Sequence, residues 1–143
     1  MIAASAQSPL TGGCQCGGVR YEITATPEAL YVCHCRECRK QSASAFGMSL
    51  MVARTNFRLT AGKPKTWSRP TDTGRVLDCN FCPECGSRIW HERAGGHETI
   101  SVKGGSLDQA LDFAEGVHIW ISRKLPGFNI PEHAEQFPEE PPD

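Results

Sequence analysis

Cysteine spacing carries the chemistry of this 143-residue chain, whose eight cysteines fall in short clusters: Cys14-Gln15-Cys16, Cys33-His34-Cys35-Arg36-Glu37-Cys38 and Cys79-Asn80-Phe81-Cys82-Pro83-Glu84-Cys85-Gly86. Thiols one or two residues apart can be aimed at one point by a tight turn, and two such pairs complete a tetrahedral shell around a metal ion. Cys82-Pro83-Glu84-Cys85-Gly86 reads as a zinc knuckle: Pro83 presets φ at the turn, and Gly86 can take the left-handed exit that lets backbone N–H groups reach sulfur. Iron–sulfur clusters also use cysteine quartets, but zinc is the expected ion for knuckles in a small β domain. Cys14, Cys16, Cys82 and Cys85 would form one closed, structural four-thiolate site. Cys33, Cys35 and Cys38 then remain, with Cys79 left over; three ligands and an open fourth position are the pattern of catalytic zinc. The expectation is two zinc ions per chain. Closure of the second site by Cys79, or a redox-active or idle trio beside a single zinc, are the alternatives left open. His34 is a further possible ligand, although a residue flanked by two ligands usually points away.

Other motifs fall short. His91-Glu92 and His97-Glu98 begin like HExxH, but Gly95 and Ser101 stand where the second histidine belongs. Gly104-Gly105-Ser106-Leu107-Asp108 ends in Asp and reads as a turn, not a nucleophile elbow. No phosphate-binding glycine loop is present. Trp67, Trp90 and Trp120 are expected as core and strand-pair material.

The elements that must position the cysteines read as short strands. Val19, Tyr21 and Ile23 alternate with polar residues, as do Phe57 and Leu59, and Val76 to Phe81 alternates around Cys79; Thr99 to Val102 and Val117 to Ile121 are rich in β-branched residues. Turns are expected at Ala61-Gly62, Thr71 to Gly74, Ala94 to Gly96 and Gly104-Gly105. A single short helix is expected over Arg36 to Ala45. The length suits one domain, with a flexible N-terminus at 1–10, a zinc-binding domain at 11–130 and a Pro/Glu-rich tail at 131–143.

Composition narrows the function. Fifteen basic and 16 acidic residues give a net charge of −1. The tail holds five acids and no Lys or Arg, so residues 1–130 carry 11 acids against 15 bases, a mild +4 that suits a small anionic ligand; nucleic acid is not an expected partner. The first ten residues lack Lys, Arg and a continuous apolar stretch, and no segment reaches the roughly 18 apolar residues of a membrane span. A cytoplasmic, reducing location is therefore expected, where closely spaced thiols bind metal instead of pairing.

Gly12-Gly13-Cys14-Gln15-Cys16-Gly17-Gly18-Val19-Arg20-Tyr21, Cys33-His34-Cys35-Arg36-Glu37-Cys38-Arg39-Lys40 and Phe81-Cys82-Pro83-Glu84-Cys85-Gly86-Ser87 resemble, in order and spacing, the glutathione-dependent formaldehyde-activating enzymes and the related centromere protein V group. Softer matches at Gly105-Ser106-Leu107-Asp108 and His118-Ile119-Trp120 extend the resemblance over about residues 11–130, although Lys124-Leu125-Pro126-Gly127-Phe128 lacks the tryptophan of the family's late segment. The resemblance implies a mainly β fold, a β-tent of several curled antiparallel sheets with zinc knuckles and few short helices. It implies the same division of ligands, with Cys79 outside both sites; the alternating run Val76 to Phe81 makes Cys79 a packed strand residue. It also implies a carbon–sulfur lyase-like reaction, of the S-hydroxymethylglutathione synthase kind, on a thiol such as glutathione and a small aldehyde such as formaldehyde. Arg20, Arg36, Arg39 and Lys40 flank the clusters and are candidates to clamp the thiol's carboxylates. The rival readings are a non-enzymatic zinc module that binds a protein partner, and a thiol redox sensor built on the trio.

Overall fold

Short alternating runs build the chain into two sheets and one helix in a computed structural model that describes residues 1–142. The smaller sheet joins β1 (Leu10–Gly13), β2 (Arg20–Ile23) and β5 (Phe57–Ala61), all antiparallel, in the order β1-β2-β5. The larger contains β3 (Ala29–Cys33), β4 (Gly47–Ala53), β6 (Lys65–Pro70), β7 (Val76–Phe81), β8 (Arg88–Arg93), β9 (Thr99–Lys103) and β10 (Val117–Ile119), in the order β10-β3-β4-β9-β8-β7-β6. The mainly β expectation holds, with one departure from antiparallel pairing: β10 runs parallel to β3. Having left β9, the chain re-enters the sheet at its far edge in the direction of β3, which a tight hairpin cannot achieve.

Leu10, Tyr21 and Ile23 of the small sheet pack in one cluster with Leu30, Leu50, Val52, Ile89, Trp90, Ile100 and Val102 of the large one. Each such side chain contributes about 1.5–3 kcal/mol on burial. Because side chains alternate across a strand, the intervening residues point to the opposite face of the large sheet. There the register sets Tyr31 opposite Ser49 and Ser49 opposite Lys103, and aligns Met51, Ser101, His91, Cys79 and Trp67 in a row across five strands. This outer face faces the trio.

The helix α1 (Arg36–Ser42) starts where expected and stops before Ala45, because Ala43 turns left-handed at φ 51° and returns its N–H to the carbonyls of Arg39 and Lys40. Residues 135–137 run beside β10: the Phe137 N–H donates to His118 O at 2.8 Å and the His118 N–H to Glu135 O at 2.9 Å. Asp143, the last residue of the tail segment, lies outside the described residues. At the other end the Met1 amine pairs with Glu115. Among the described residues no helix is long and apolar enough to cross a membrane.

Gly12 of β1 bridges to Leu107, in the segment after β9; a Cβ there would collide with the Tyr21 hydroxyl and the Ser106 carbonyl, while Tyr21 Oη and Ser106 Oγ lie 2.7 Å apart. Gly12→Ala is expected to destabilise the protein by about 1–3 kcal/mol, the usual cost of overpacking, read as a lower urea midpoint at unchanged m-value.

Candidate metal centres and the adjoining cleft

Two separate turns converge to make the first cluster. β1 delivers Cys14, and a turn closed by the Gly17 N–H on Cys14 O at 3.1 Å swings Cys16 back beside it. β7 delivers Cys82, and Gly86, at φ +81°, returns its N–H to Cys82 O at 2.9 Å, as its position in the knuckle predicts. The sulfurs of Cys14 and Cys16 are 3.6 Å apart and those of Cys16 and Cys82 3.7 Å, and all four lie within 4.8 Å of one another. Metal–sulfur bonds of about 2.3 Å in a tetrahedron require sulfurs about 3.8 Å apart, so the group fits a metal ion. The Val19 N–H points at Cys14 Sγ (3.1 Å) and the Gly18 N–H at Cys16 Sγ (3.4 Å), which stabilises thiolate charge. Ser87 joins the two turns: its Oγ accepts from the Gln15 N–H at 3.0 Å and lies 3.3 Å from Cys85 Sγ. The Ser87 hydroxyl and N–H, followed by the Cys16 N–H, bring the Cys85 thiol down to about 5.

Cys33, Cys35 and Cys38 form the second cluster, again with all sulfurs within 4.8 Å. Cys33 ends β3, Cys35 caps α1 by accepting the Cys38 N–H at 3.3 Å, and Cys38 lies on the helix. Gly47 opposes Cys33 in β4; a Cβ there would stand 3.1 Å from Cys38 Cβ, so glycine lets the helix settle on the sheet. Within the trio, Cys35 is held below the usual thiol value. Interaction with the Cys33 and Cys38 thiols, and then the N–H groups of Cys38 and Glu37, favour its thiolate, while Cys33 is pushed up mainly by Cys35. Both clusters could hold a metal ion, and all eight cysteines are free thiols. Cys79 belongs to neither: it is buried in β7 between His91 and Trp67.

A positive charge lies on the sheet side of the trio. Burial pushes the Lys103 ammonium below its usual value, and the sulfurs of Cys38, Cys79 and Cys33 oppose that shift. The Nζ of Lys103 reaches Ser49 Oγ at 3.5 Å. Burial and the charges of Lys103, Arg69 and Arg88 keep His91 neutral by pushing it well below its usual value. One side of α1 borders an open cavity of about 550 Å³ lined by Arg36, Arg39, Lys40, Ala43, Ser44 and Leu125. A narrower cleft of about 210 Å³ opens between α1 and the strands β6 and β8.

His34 turns away from the sulfurs, as expected. It is fully buried, with Nε2 2.9 Å from His118 Nδ1 and its ring packed on Phe46 and Phe128. Burial, then the charges of His118 and Lys124, bring it down to about 4. Of the basic residues that sequence singles out, Arg36, Arg39 and Lys40 share the larger cavity, and the Arg39 Nε is buried with no hydrogen-bond partner among the described residues. Arg20 lies elsewhere and pairs with Asp108. Sequence reading assigned no role to Lys103, Arg69, Arg88 or Ser87, because their importance depends on pairing between strands distant in sequence.

A crystal structure of a Rhodobacter sphaeroides protein shares the fold, with a TM-score of 0.55 and 21% identity over 71% of this chain and 90% of that one. The family model for the glutathione-dependent formaldehyde-activating enzyme matches residues 9–123. That span takes in both cysteine clusters and the strands that carry them, and the chain belongs to this family.

Proposed function

We propose that the chain is a zinc-dependent enzyme that joins a thiol such as glutathione to a small aldehyde such as formaldehyde, or splits the adduct. The observation that carries this reading is a cluster of three cysteines without a fourth among the described residues, set against a basic face. In the forward direction the thiol sulfur bonds to the carbonyl carbon, the C=O π bond opens, and the thiol proton ends on the former carbonyl oxygen. No oxidant or reductant is needed. Zinc held by Cys33, Cys35 and Cys38 would supply a soft Lewis acid that keeps a substrate sulfur as thiolate near neutral pH.

The protein's share is charge and position. Lys103 offsets the negative charge of the thiolates from the sheet side. Gly47 fixes the distance from helix to sheet, and the N–H of Cys38 orients Cys35. Glutathione carries two carboxylates, and Arg36, Arg39 and Lys40 supply a cationic wall for one of them. Arg39→Ala is expected to raise the KM for glutathione about tenfold at nearly unchanged kcat, the pattern of an interaction made equally in ground and transition states. An unchanged KM would remove Arg39 from substrate binding.

The reading as a whole is tested by following S-hydroxymethylglutathione formation and breakdown by NMR exchange with the zinc-loaded protein. Exchange faster than the spontaneous reaction, and lost in Cys38→Ser, supports it. Exchange at the spontaneous rate contradicts it.

A further inference from the structure

Three of the ten arginines take part in ion pairs among the described residues. Arg20 pairs with Asp108, Arg54 with Glu92 and Arg58 with Glu22. Arg69 and Arg88 are half-buried, yet take part in none of the ion pairs among the described residues. A partly desolvated guanidinium without a carboxylate is costly unless an anion satisfies it.

Both line the narrower cleft, together with Glu37, Lys40, Gln41 and Trp67. The lining therefore holds three cations against one acid. Arg88 sits over the Trp67 ring, 5.4 Å from its centroid, and Trp67 is itself 51% exposed on the edge strand. That distance is within cation–π range, an attraction to the ring face that leaves guanidinium N–H donors available to an anion. The cleft also touches the trio: the Gln41 Nε2 amide, on its wall, lies 3.5 Å from Cys38 Sγ. At about 210 Å³ it is smaller than the roughly 300–1,000 Å³ of a whole-ligand pocket, which suits one end of a substrate whose reactive end lies at the sulfurs.

We infer that this cleft binds a carboxylate of the thiol substrate, and that Arg69 and Arg88 select anionic thiols over neutral ones. The inference rests on the proposed thiol chemistry at the trio and assigns the specificity of that site to residues of β6 and β8, across the cleft from the cysteine motif.

The test uses the full chain loaded with zinc. Binding of glutathione and of its dimethyl ester is measured by calorimetry in the absence of aldehyde, for the native protein, the Arg69→Ala/Arg88→Ala double variant and Arg58→Ala. Glutathione binding is expected to weaken at least about tenfold in the double variant, the equivalent of one lost charge-assisted interaction, and to stay unchanged in Arg58→Ala. The ester should bind the native protein weakly and be indifferent to the double substitution. Arg69→Ala alone, on the edge strand, carries the same comparison should the double variant unfold. Equal glutathione affinity in native and variant protein, or an ester that binds as well as the acid, overturns the inference. The two readings separate cleanly. Arginine-dependent binding without turnover keeps the cleft assignment and removes the reaction, whereas turnover with unchanged KM in the double variant keeps the reaction and removes the cleft.

Discussion

Cys82→Ser is expected to lower the melting temperature by at least about 15 °C and to remove one metal ion per chain, by thermal unfolding and metal analysis of the purified protein. Cys82 is 1% exposed and belongs to the core cluster that joins the two sheets, as does Cys14. The sulfurs they share with Cys16 and Cys85 tie the end of β1 to the end of β7 across more than sixty residues of chain. A structural zinc contributes about 10–16 kcal/mol of binding free energy, comparable with the roughly 5–15 kcal/mol of a whole domain. A loss of even 5 kcal/mol, at roughly 3–4 °C per kcal/mol for a chain near this size, gives the stated shift. The small sheet should loosen first, since β1 and β2 depend on that turn. A native melting temperature in Cys82→Ser would mean that the quartet carries no structural metal.

The second large effect falls on activity and spares the fold. Cys35→Ser is expected to lower kcat/KM about a thousandfold, a loss of roughly 4 kcal/mol of barrier lowering, and to reduce bound zinc from two ions to one. Cys33, Cys35 and Cys38 lie outside the core cluster, at the junction of β3 and α1. Cys35 also caps the helix, but a serine keeps a capping oxygen, so stability should change by less than about 1 kcal/mol. The pair of variants thus divides the clusters by role: one substitution unfolds, the other inactivates. Cys35→Ser with native turnover would remove the trio from the reaction.

Legibility in the sequence followed locality. The cysteine groups were readable because each pair is set by its own turn, and Gly86 adopts the left-handed conformation that its place after Cys85 requires. β2, β5, β7, β9 and β10 were readable from alternation or β-branched content. β4 was not: Leu50 and Val52 face the core, but Ser49 and Met51 lie under partners on the outer face, so its apolar pattern is nearly continuous. β6 was hidden for the opposite reason, since Lys65–Pro70 is an edge strand that is mostly exposed and polar. The place of β10 beside β3 could not be read at all. It brings His118 to His34 from 84 residues away, and nothing local in either segment encodes that. The basic cleft shares this character, because Arg69 and Arg88 come together only through the pairing of β6, β7 and β8.

Metal stoichiometry tests the central claim, a closed four-cysteine site beside an open three-cysteine one, most directly. Native mass spectrometry of protein prepared with zinc and a reductant, before and after a brief wash with a mild chelator, gives the count for the native chain and for Cys79→Ser. Two ions per chain are predicted in both proteins, one of them lost in the wash, because a three-ligand site holds its ion less securely than a closed one. Two ions that both resist the wash, or a count that falls to one in Cys79→Ser, would contradict the open site and the chemistry proposed for it.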